Sequence, residues 1–263
     1  MKTLVLFDMD GTLTPARKSV TKDITETLAH LQSHATVGIV SGSPMNYINQ
    51  QMSSSWLEGN VNSDTLLFYP CNGTQEYSVT PEDNFVPCRI SHVDMIDEMG
   101  KENYRILISI LTDLQNFVIE TTKDMPVSGN FISFRESMVN WCMIGRDASN
   151  DMRKKFEDIE KSYAIRKNLK RMLDSNLKTA NIDNIHTALG GSTSIDIFPS
   201  GWDKTYCLNH VRNQNFDRVY FVGDKCQPGQ NDREIYVHPE TISFESSGPS
   251  NTIEIIRSII EDL

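Results

Sequence analysis

Apolar residues gather into short runs separated by segments of helical period. Leu4-Val5-Leu6, Thr36–Val40 and Leu66–Tyr69 each predict a buried strand. The first runs into Phe7-Asp8-Met9-Asp10-Gly11-Thr12-Leu13-Thr14, the second ends in Ser41-Gly42-Ser43-Pro44, and the third closes with Pro70-Cys71-Asn72-Gly73. Ile24, Leu28 and Leu31 recur at i, i+4 and i+7 and predict a helix over 21–32. From Gln75 the pattern changes. Ile96, Met99, Leu107, Ile110, Leu111 and Leu114 predict helical packing, strands follow over 131–135 and 139–144, and a helical stretch rich in Lys and Arg covers 152–177. Strand–helix alternation resumes near Ile185. Lys204 opens a helix bearing Tyr206, Leu208 and Val211, and Val219 to Val222 form a last clear strand. Ile253, Ile256, Ile259, Ile260 and Leu263 line one face of a terminal helix. The pattern predicts an α/β core over 1–82 and 187–263 with a parallel sheet, and an inserted α+β unit over 83–186.

Composition narrows the function classes. With 263 residues, 38% hydrophobic and 23% charged, the chain can bury a large core. A net charge of -10 argues against a nucleic-acid surface, so any phosphate site must be a local cluster of cations. No apolar run is long enough to span a membrane, which predicts a protein without a membrane partner. Asp8 and Asp10 interrupt the apolar start too early for a signal peptide. Five cysteines without C-x-x-C spacing suggest reduced thiols and a cytoplasmic location. Asn72-Gly73-Thr74 reads as an Asn-Gly turn.

Carboxylates at a strand's carboxyl end stand where open α/β sheets do chemistry. Asp8 and Asp10, two apart, point over one crevice if the strand continues through them. Such a pair can divide phosphoryl transfer, Asp8 attacking phosphorus and Asp10 passing protons. Lys204 at a helix start is electrostatically odd unless it neutralises a bound phosphate together with Asp8. Asp224, with Asp8 and the Asp10 carbonyl, makes an oxygen-rich site suited to Mg²⁺. Asp232 either steadies its loop or holds a second cation. Ser41 either caps a helix or donates to a phosphate oxygen. Ser194 and Asp196 share one strand face suited to sugar hydroxyls. Arg135, Arg146 and Arg153 are either a solvated face or a clamp for a phosphate that is not reacting.

Asp8-Met9-Asp10-Gly11-Thr12, a strand-end Ser41, Lys204, and Gly223-Asp224 with Asn231-Asp232 together resemble the haloacid dehalogenase (HAD) superfamily. Longer matches resemble eukaryotic-type phosphomannomutases over nearly the whole chain. They are the stretch from Phe7 to Arg17, Phe131-Ile132-Ser133-Phe134-Arg135, Ile144-Gly145-Arg146, Ser194-Ile195-Asp196-Ile197-Phe198-Pro199 and Gly201-Trp202-Asp203-Lys204. Ser41 and Ser192 stand where that family usually carries glycine and methionine. The resemblance implies a HAD-like Rossmannoid core with a cap, Mg²⁺, and substrate contacts from Arg17, Arg135, Arg146, Arg153, Ser194 and Asp196. It also implies interconversion of mannose 6-phosphate and mannose 1-phosphate through an aspartyl-phosphate and a hexose 1,6-bisphosphate, in the service of GDP-mannose biosynthesis, by a homodimer joined through the cap. A HAD-type sugar-phosphate phosphatase and a silent sugar-phosphate sensor are the competing expectations.

Overall fold

The computed structural model describes residues 1–263 and contains eleven strands. In chain order they are β1 (Thr3–Phe7), β2 (Thr36–Val40), β3 (Leu66–Tyr69), β4 (Gln75–Ser78), β5 (Cys88–His92), β6 (Ile132–Phe134), β7 (Val139–Cys142), β8 (Ile185–Gly190), β9 (Ser194–Pro199), β10 (Arg218–Gly223) and β11 (Ile242–Glu245). The chain divides into two compact units, 1–92 with 202–263, and 93–201.

The first unit is built on a seven-stranded sheet in the order β11-β10-β1-β2-β3-β4-β5. Its five strands from β11 to β3 run parallel, and β4 and β5 are added antiparallel at one edge. Residues of β1 alternate between two apolar clusters. Val5 and Phe7 pack with Val37, Ile39 and Val222, whereas Leu4 and Leu6 pack with Val40, Phe221 and Leu208. A parallel sheet buried on both faces needs such continuous apolar strands, which is why these runs stand out in the sequence. The helix Lys22–Gln32 is capped by the Thr21 hydroxyl and buries Ile24, Leu28 and Leu31. Asn72 and Gly73 adopt positive φ (65° and 83°), so the Asn-Gly segment is a turn.

The second unit holds a four-stranded antiparallel sheet, β6-β7-β9-β8. Leu107, Leu111, Leu114 and Val118 of the helix Lys101–Thr121 and Leu169, Leu173 and Leu177 of the helix Ile165–Thr179 are buried. So are Val139, Trp141, Ile195 and Ile197 of β7 and β9. Trp141 donates its indole N–H to Gln115 Oε1 (2.7 Å), and Gln115 donates to the Met143 carbonyl (3.0 Å), so the polar atoms buried there are paired.

Three expectations change. The insertion begins at 93 and ends at 201, because β4 and β5 extend the first sheet while β8 and β9 pair with each other and with β7. The stretch 189–199 therefore belongs to the antiparallel unit, not to a return into the core. The helical stretch 152–177 is two helices, Asn150–Tyr163 and Ile165–Thr179, separated at Ala164, whose φ of 48° breaks the hydrogen-bond ladder. Strand β11 is added to the sheet; short and only partly buried, it leaves no alternating signal in the sequence.

Candidate active site

In the first unit the strand ends assemble a charged centre. β1 stops at Phe7, so Asp8 and Asp10 lie just beyond it rather than on it. The Asp8 N–H still donates to the Val222 carbonyl of β10 (2.9 Å), holding the residue at the sheet's carboxyl edge. Residues 9–14 then form a closed turn, in which the N–H groups of Thr12, Leu13 and Thr14 all donate to the Met9 carbonyl and Gly11 N–H donates to the Thr14 carbonyl (2.7 Å). Gly11 has φ 93°, and a Cβ there would overlap the Asp224 carboxylate, so this turn accepts no larger residue against that side chain.

Lys204 begins a short 3₁₀ turn whose first residues are capped by Asp203, accepting from Thr205 N–H (2.8 Å). Its side chain is completely buried, and Nζ donates to Asp8 Oδ1 and to Asp232 Oδ1. Asp232, itself fully buried, accepts the Lys225 N–H on Oδ2 (3.0 Å), and Lys225 Nζ reaches Asp224 (2.7 Å). The sequence leaves the part of Asp232 open; it is Lys204's second carboxylate. Burial pushes the Asp8 carboxyl up to about 8, with Lys204 opposing and Asp232 and Asp224 reinforcing the rise. Burial also raises Asp224, against the pull of Lys225. Burial works against the charge of Lys204, but Asp232 and Asp8 outweigh it and hold the ammonium firmly protonated.

Oxygens of Asp8, Asp224 and Asp232 lie within 4.8 Å of one another. All are hard donors, and three carboxylates face the two ammoniums of Lys204 and Lys225, an excess that a divalent cation relieves. Since Lys204 and the Lys225 N–H occupy both oxygens of Asp232, the donor set fits a cation held mainly by Asp8, Asp224 and the nearby backbone.

Asp10 is fixed by groups the motif does not contain. Its Oδ1 accepts the backbone N–H of Arg17 (2.8 Å), which has φ 61° and an exposed side chain. The buried Gln51 satisfies its surroundings only with Nε2 turned toward Asp10 Oδ1 (3.1 Å), Thr14 Oγ1 (3.0 Å) and the Lys18 carbonyl (3.0 Å). Ser41 lies at the end of β2, buried, its N–H on the Tyr69 carbonyl (3.1 Å) and its Oγ accepting from Ser43 N–H (3.1 Å).

The second unit carries a separate polar cluster. Ser194 and Asp196 do share one face of β9, and Asn140, the cross-strand partner of Asp196, lies between them. Asn140 Nδ2 donates to Asp196 Oδ1 (2.6 Å) and Ser194 Oγ (2.9 Å), while its carbonyl oxygen accepts from Arg146 Nη1 (2.8 Å). Arg153 is buried, donating to the Ala148 carbonyl (3.1 Å), the Thr193 hydroxyl (2.9 Å) and the Arg146 carbonyl (2.8 Å). It thereby holds the backbone of Arg146. Arg135 lies in the tight β6–β7 turn, its N–H on the Met138 carbonyl (2.8 Å).

Residues 24–262 match the model of the eukaryotic phosphomannomutase family. The chain belongs to that family. A phosphomannomutase of Schizosaccharomyces pombe is 36% identical over 261 residues, covering 98% of this chain and 94% of its own length. The phosphomannomutase of Saccharomyces cerevisiae is 34% identical over 260 residues, with 98% and 94% covered, and that of Drosophila melanogaster is 34% identical over 263, with 98% and 95% covered. Among solved structures, an IMP-nucleotidase of Plasmodium falciparum aligns with TM-score 0.69 at 11% identity, over all of this chain and 68% of that one. A trehalose-6-phosphate phosphatase of Aspergillus fumigatus aligns with TM-score 0.51 at 15% identity, over 100% and 93%. At such identities these two speak for the HAD-like fold alone.

Two residues of these clusters, Asn140 and Gln51, escape a reading of the sequence, and a third, Asp232, is read without its partner. Asp232 stands out but has no evident place, because its partner Lys204 is 28 residues away. Asn140 could be found as the polar residue on the strand face opposite Trp141. Gln51 lies in the helix Met45–Met52 among apolar neighbours, and nothing in its local pattern points to Asp10.

Proposed function

We propose that the chain is a phosphomannomutase interconverting mannose 6-phosphate and mannose 1-phosphate. The observation that carries the reading is Asp8 at the carboxyl edge of the parallel sheet, bound to Lys204 and grouped with Asp224, in a chain whose relatives over nearly full length are phosphomannomutases.

In this mechanism an Asp8 oxygen attacks one phosphorus of the hexose 1,6-bisphosphate and the bond from that phosphorus to the sugar oxygen breaks, so that the sugar leaves as a monophosphate. Asp10 gives that oxygen its proton, leaving an aspartyl-phosphate and a free hydroxyl. In the other half Asp10 takes the proton from the free hydroxyl of a hexose monophosphate, that oxygen attacks the phosphorus of the aspartyl-phosphate and the bond from phosphorus to Asp8 breaks, giving the hexose 1,6-bisphosphate, which turns round before Asp8 attacks its other phosphoryl group. Lys204 stabilises charge on Asp8 and on the transferring group, and Ser41 donates to a phosphate oxygen. Asp8, Asp224 and the Asp10 carbonyl would hold Mg²⁺, which would supply neutralisation of charge on the transferring phosphoryl group. In the second unit Ser194 and Asp196 take sugar hydroxyls, and Arg135 and Arg146 bind the phosphate that is not reacting. Arg17 and Arg153 complete the substrate contacts, Arg153 through its hold on Arg146 as well.

We further place the protein in the cytosol, supplying mannose 1-phosphate for GDP-mannose formation. The reading rests on family and on five free cysteines; no helix is long and apolar enough to cross a membrane. A homodimer through the second unit is supported by the family and by exposed Phe117 and Phe134 there. Sedimentation of a monomer at micromolar concentration would refute it.

The deciding experiment is a coupled assay with mannose 1-phosphate, with and without a hexose 1,6-bisphosphate, while free phosphate is followed. Sugar 6-phosphate should dominate and depend on the bisphosphate. Free phosphate as the main product would instead make the protein a sugar-phosphate phosphatase.

A further inference from the structure

The terminal helix Pro249–Asp262 has an apolar face that accounts for its packing but not for Thr252. That residue is completely buried, and Ser246, just before the helix, is nearly so. A valine would fill the space of Thr252 with no hydroxyl to satisfy, so the hydroxyl calls for a reason.

Its partners supply one. Thr252 Oγ1 donates to the Thr12 carbonyl (2.8 Å), in the closed turn that carries Asp10. The same atom meets Ser246 Oγ at 2.7 Å, and Ser246 N–H donates to the Gly223 carbonyl (2.7 Å), one residue before Asp224. Ser246 Oγ also accepts the Gly248 N–H (3.1 Å), which fixes it at the start of the helix. The two hydroxyls thus join the turn after β1 to the end of β10. Gly11 of that turn packs directly on the Asp224 carboxylate, so the turn is held by both Asp224 and Thr252. Because residues 9–14 are cross-bonded through the Met9 carbonyl, pinning Thr12 pins the whole turn, including the Asp10 carbonyl.

We propose that Thr252 and Ser246 are positioning residues that set the spacing between the Asp10 backbone and the Asp224 carboxylate, and hence the affinity for the divalent cation. Neither touches the substrate or the cation. The proposal rests on the Mg²⁺ site of the proposed function. Groups that orient metal ligands typically change affinity by roughly ten to a hundredfold when lost.

The test is calorimetric titration of Mg²⁺ into the wild-type protein, Thr252→Val, Thr252→Ser and Ser246→Ala, with thermal unfolding of each. Thr252→Val should bind Mg²⁺ about tenfold more weakly or worse, and Thr252→Ser, which keeps the hydroxyl, should stay within about twofold of wild type. At saturating Mg²⁺ the KM for mannose 1-phosphate should be unchanged in all variants. A folded Thr252→Val with native Mg²⁺ affinity overturns the proposal, as does a Thr252→Ser equally impaired. Should Thr252→Val not fold, Ser246→Ala decides, since it removes one link of the same bridge: a loss of roughly threefold or more supports the proposal and native affinity overturns it. A wild-type protein that takes up no Mg²⁺ overturns the cation site itself, and is told apart because it appears before any substitution.

Discussion

The two units solve the problem of placing polar groups in opposite ways. In the parallel unit Asp8 and Asp224 stand just beyond strand ends, where backbone direction brings them to one edge, and Lys204 reaches Asp8 from a short 3₁₀ turn, so the carboxylates and ammoniums are mutually paired. In the antiparallel unit they stand on a strand face, where register sets Asn140 beside Asp196 and Ser194, and a neutral amide connects them to the guanidinium of Arg146. On the proposed function, the first arrangement supplies strong fields for bonds being made and broken, while the second supplies a pattern of donors and acceptors suited to hydroxyls and phosphate. Substitutions in the first should therefore change turnover and cation binding, and substitutions in the second should change substrate binding and product partition.

The sharpest break is Asp8→Asn. It should abolish both mutase turnover and phosphate release while the protein remains folded, because the amide keeps the shape but cannot attack phosphorus. Normal turnover in that variant would remove Asp8 from the mechanism. Next comes Lys204→Met, which leaves Asp8 and Asp232 buried without their shared cation. Urea unfolding should show a loss of about 3–5 kcal/mol, and a second change, Asp232→Asn, should restore part of that stability without restoring turnover. Stability unchanged by Lys204→Met would mean the buried pair is not held as described.

Proton linkage tests the same centre without substitution. Asp8 is raised to about 8 in the cation-free protein, so below that pH it carries a proton which a cation must displace. Mg²⁺ affinity should then fall with decreasing pH, by roughly tenfold per unit between pH 8 and 6, and level off above 8. A flat profile over that range would deny the raised Asp8. In the second unit, Arg146→Ala should weaken sugar-phosphate binding at least about tenfold, by loss of a charge-assisted contact, and divert more phosphoryl-enzyme to water. Its Mg²⁺ titration should match wild type, and a joint loss of both affinities would erase the division between the units. The smallest effect expected is that of Asp10→Asn on Mg²⁺, because the backbone carbonyl is the proposed ligand. Affinity should drop far less than in Asp224→Asn, as calorimetry would read.

Much of this is visible in the chain before folding. Leu4-Val5-Leu6 and the other runs of the parallel sheet are apolar throughout because both faces of that sheet are covered, and Asp8 and Asp224 follow two of these runs at once, so they can be read along the line of the sequence, while Lys204 is legible only as a cation oddly placed at a helix start. Cross-strand facts are different in kind. Nothing near Asn140 says that its neighbour is Asp196, fifty-six residues on, and nothing near Asp232 names Lys204. The unit boundary moves for the same reason, since strand pairing, not local pattern, assigns β5 to one sheet and β8 and β9 to the other. Ser246 and Thr252 are hidden by a helix whose isoleucines explain themselves.

The grip on Asp10 has a consequence for the choreography of the reaction. Arg17 N–H and Gln51 both hold Oδ1, so the carboxyl is a stator: it cannot spin about its own axis without breaking both bonds, and in the proposed acid/base role only Oδ2 would be left to give or take a proton. The two hydroxyls of a hexose that exchange a phosphoryl group are at opposite ends of the ring, and a fixed acid with one working oxygen cannot follow from one end to the other. In the proposed mechanism the rotor is therefore the sugar.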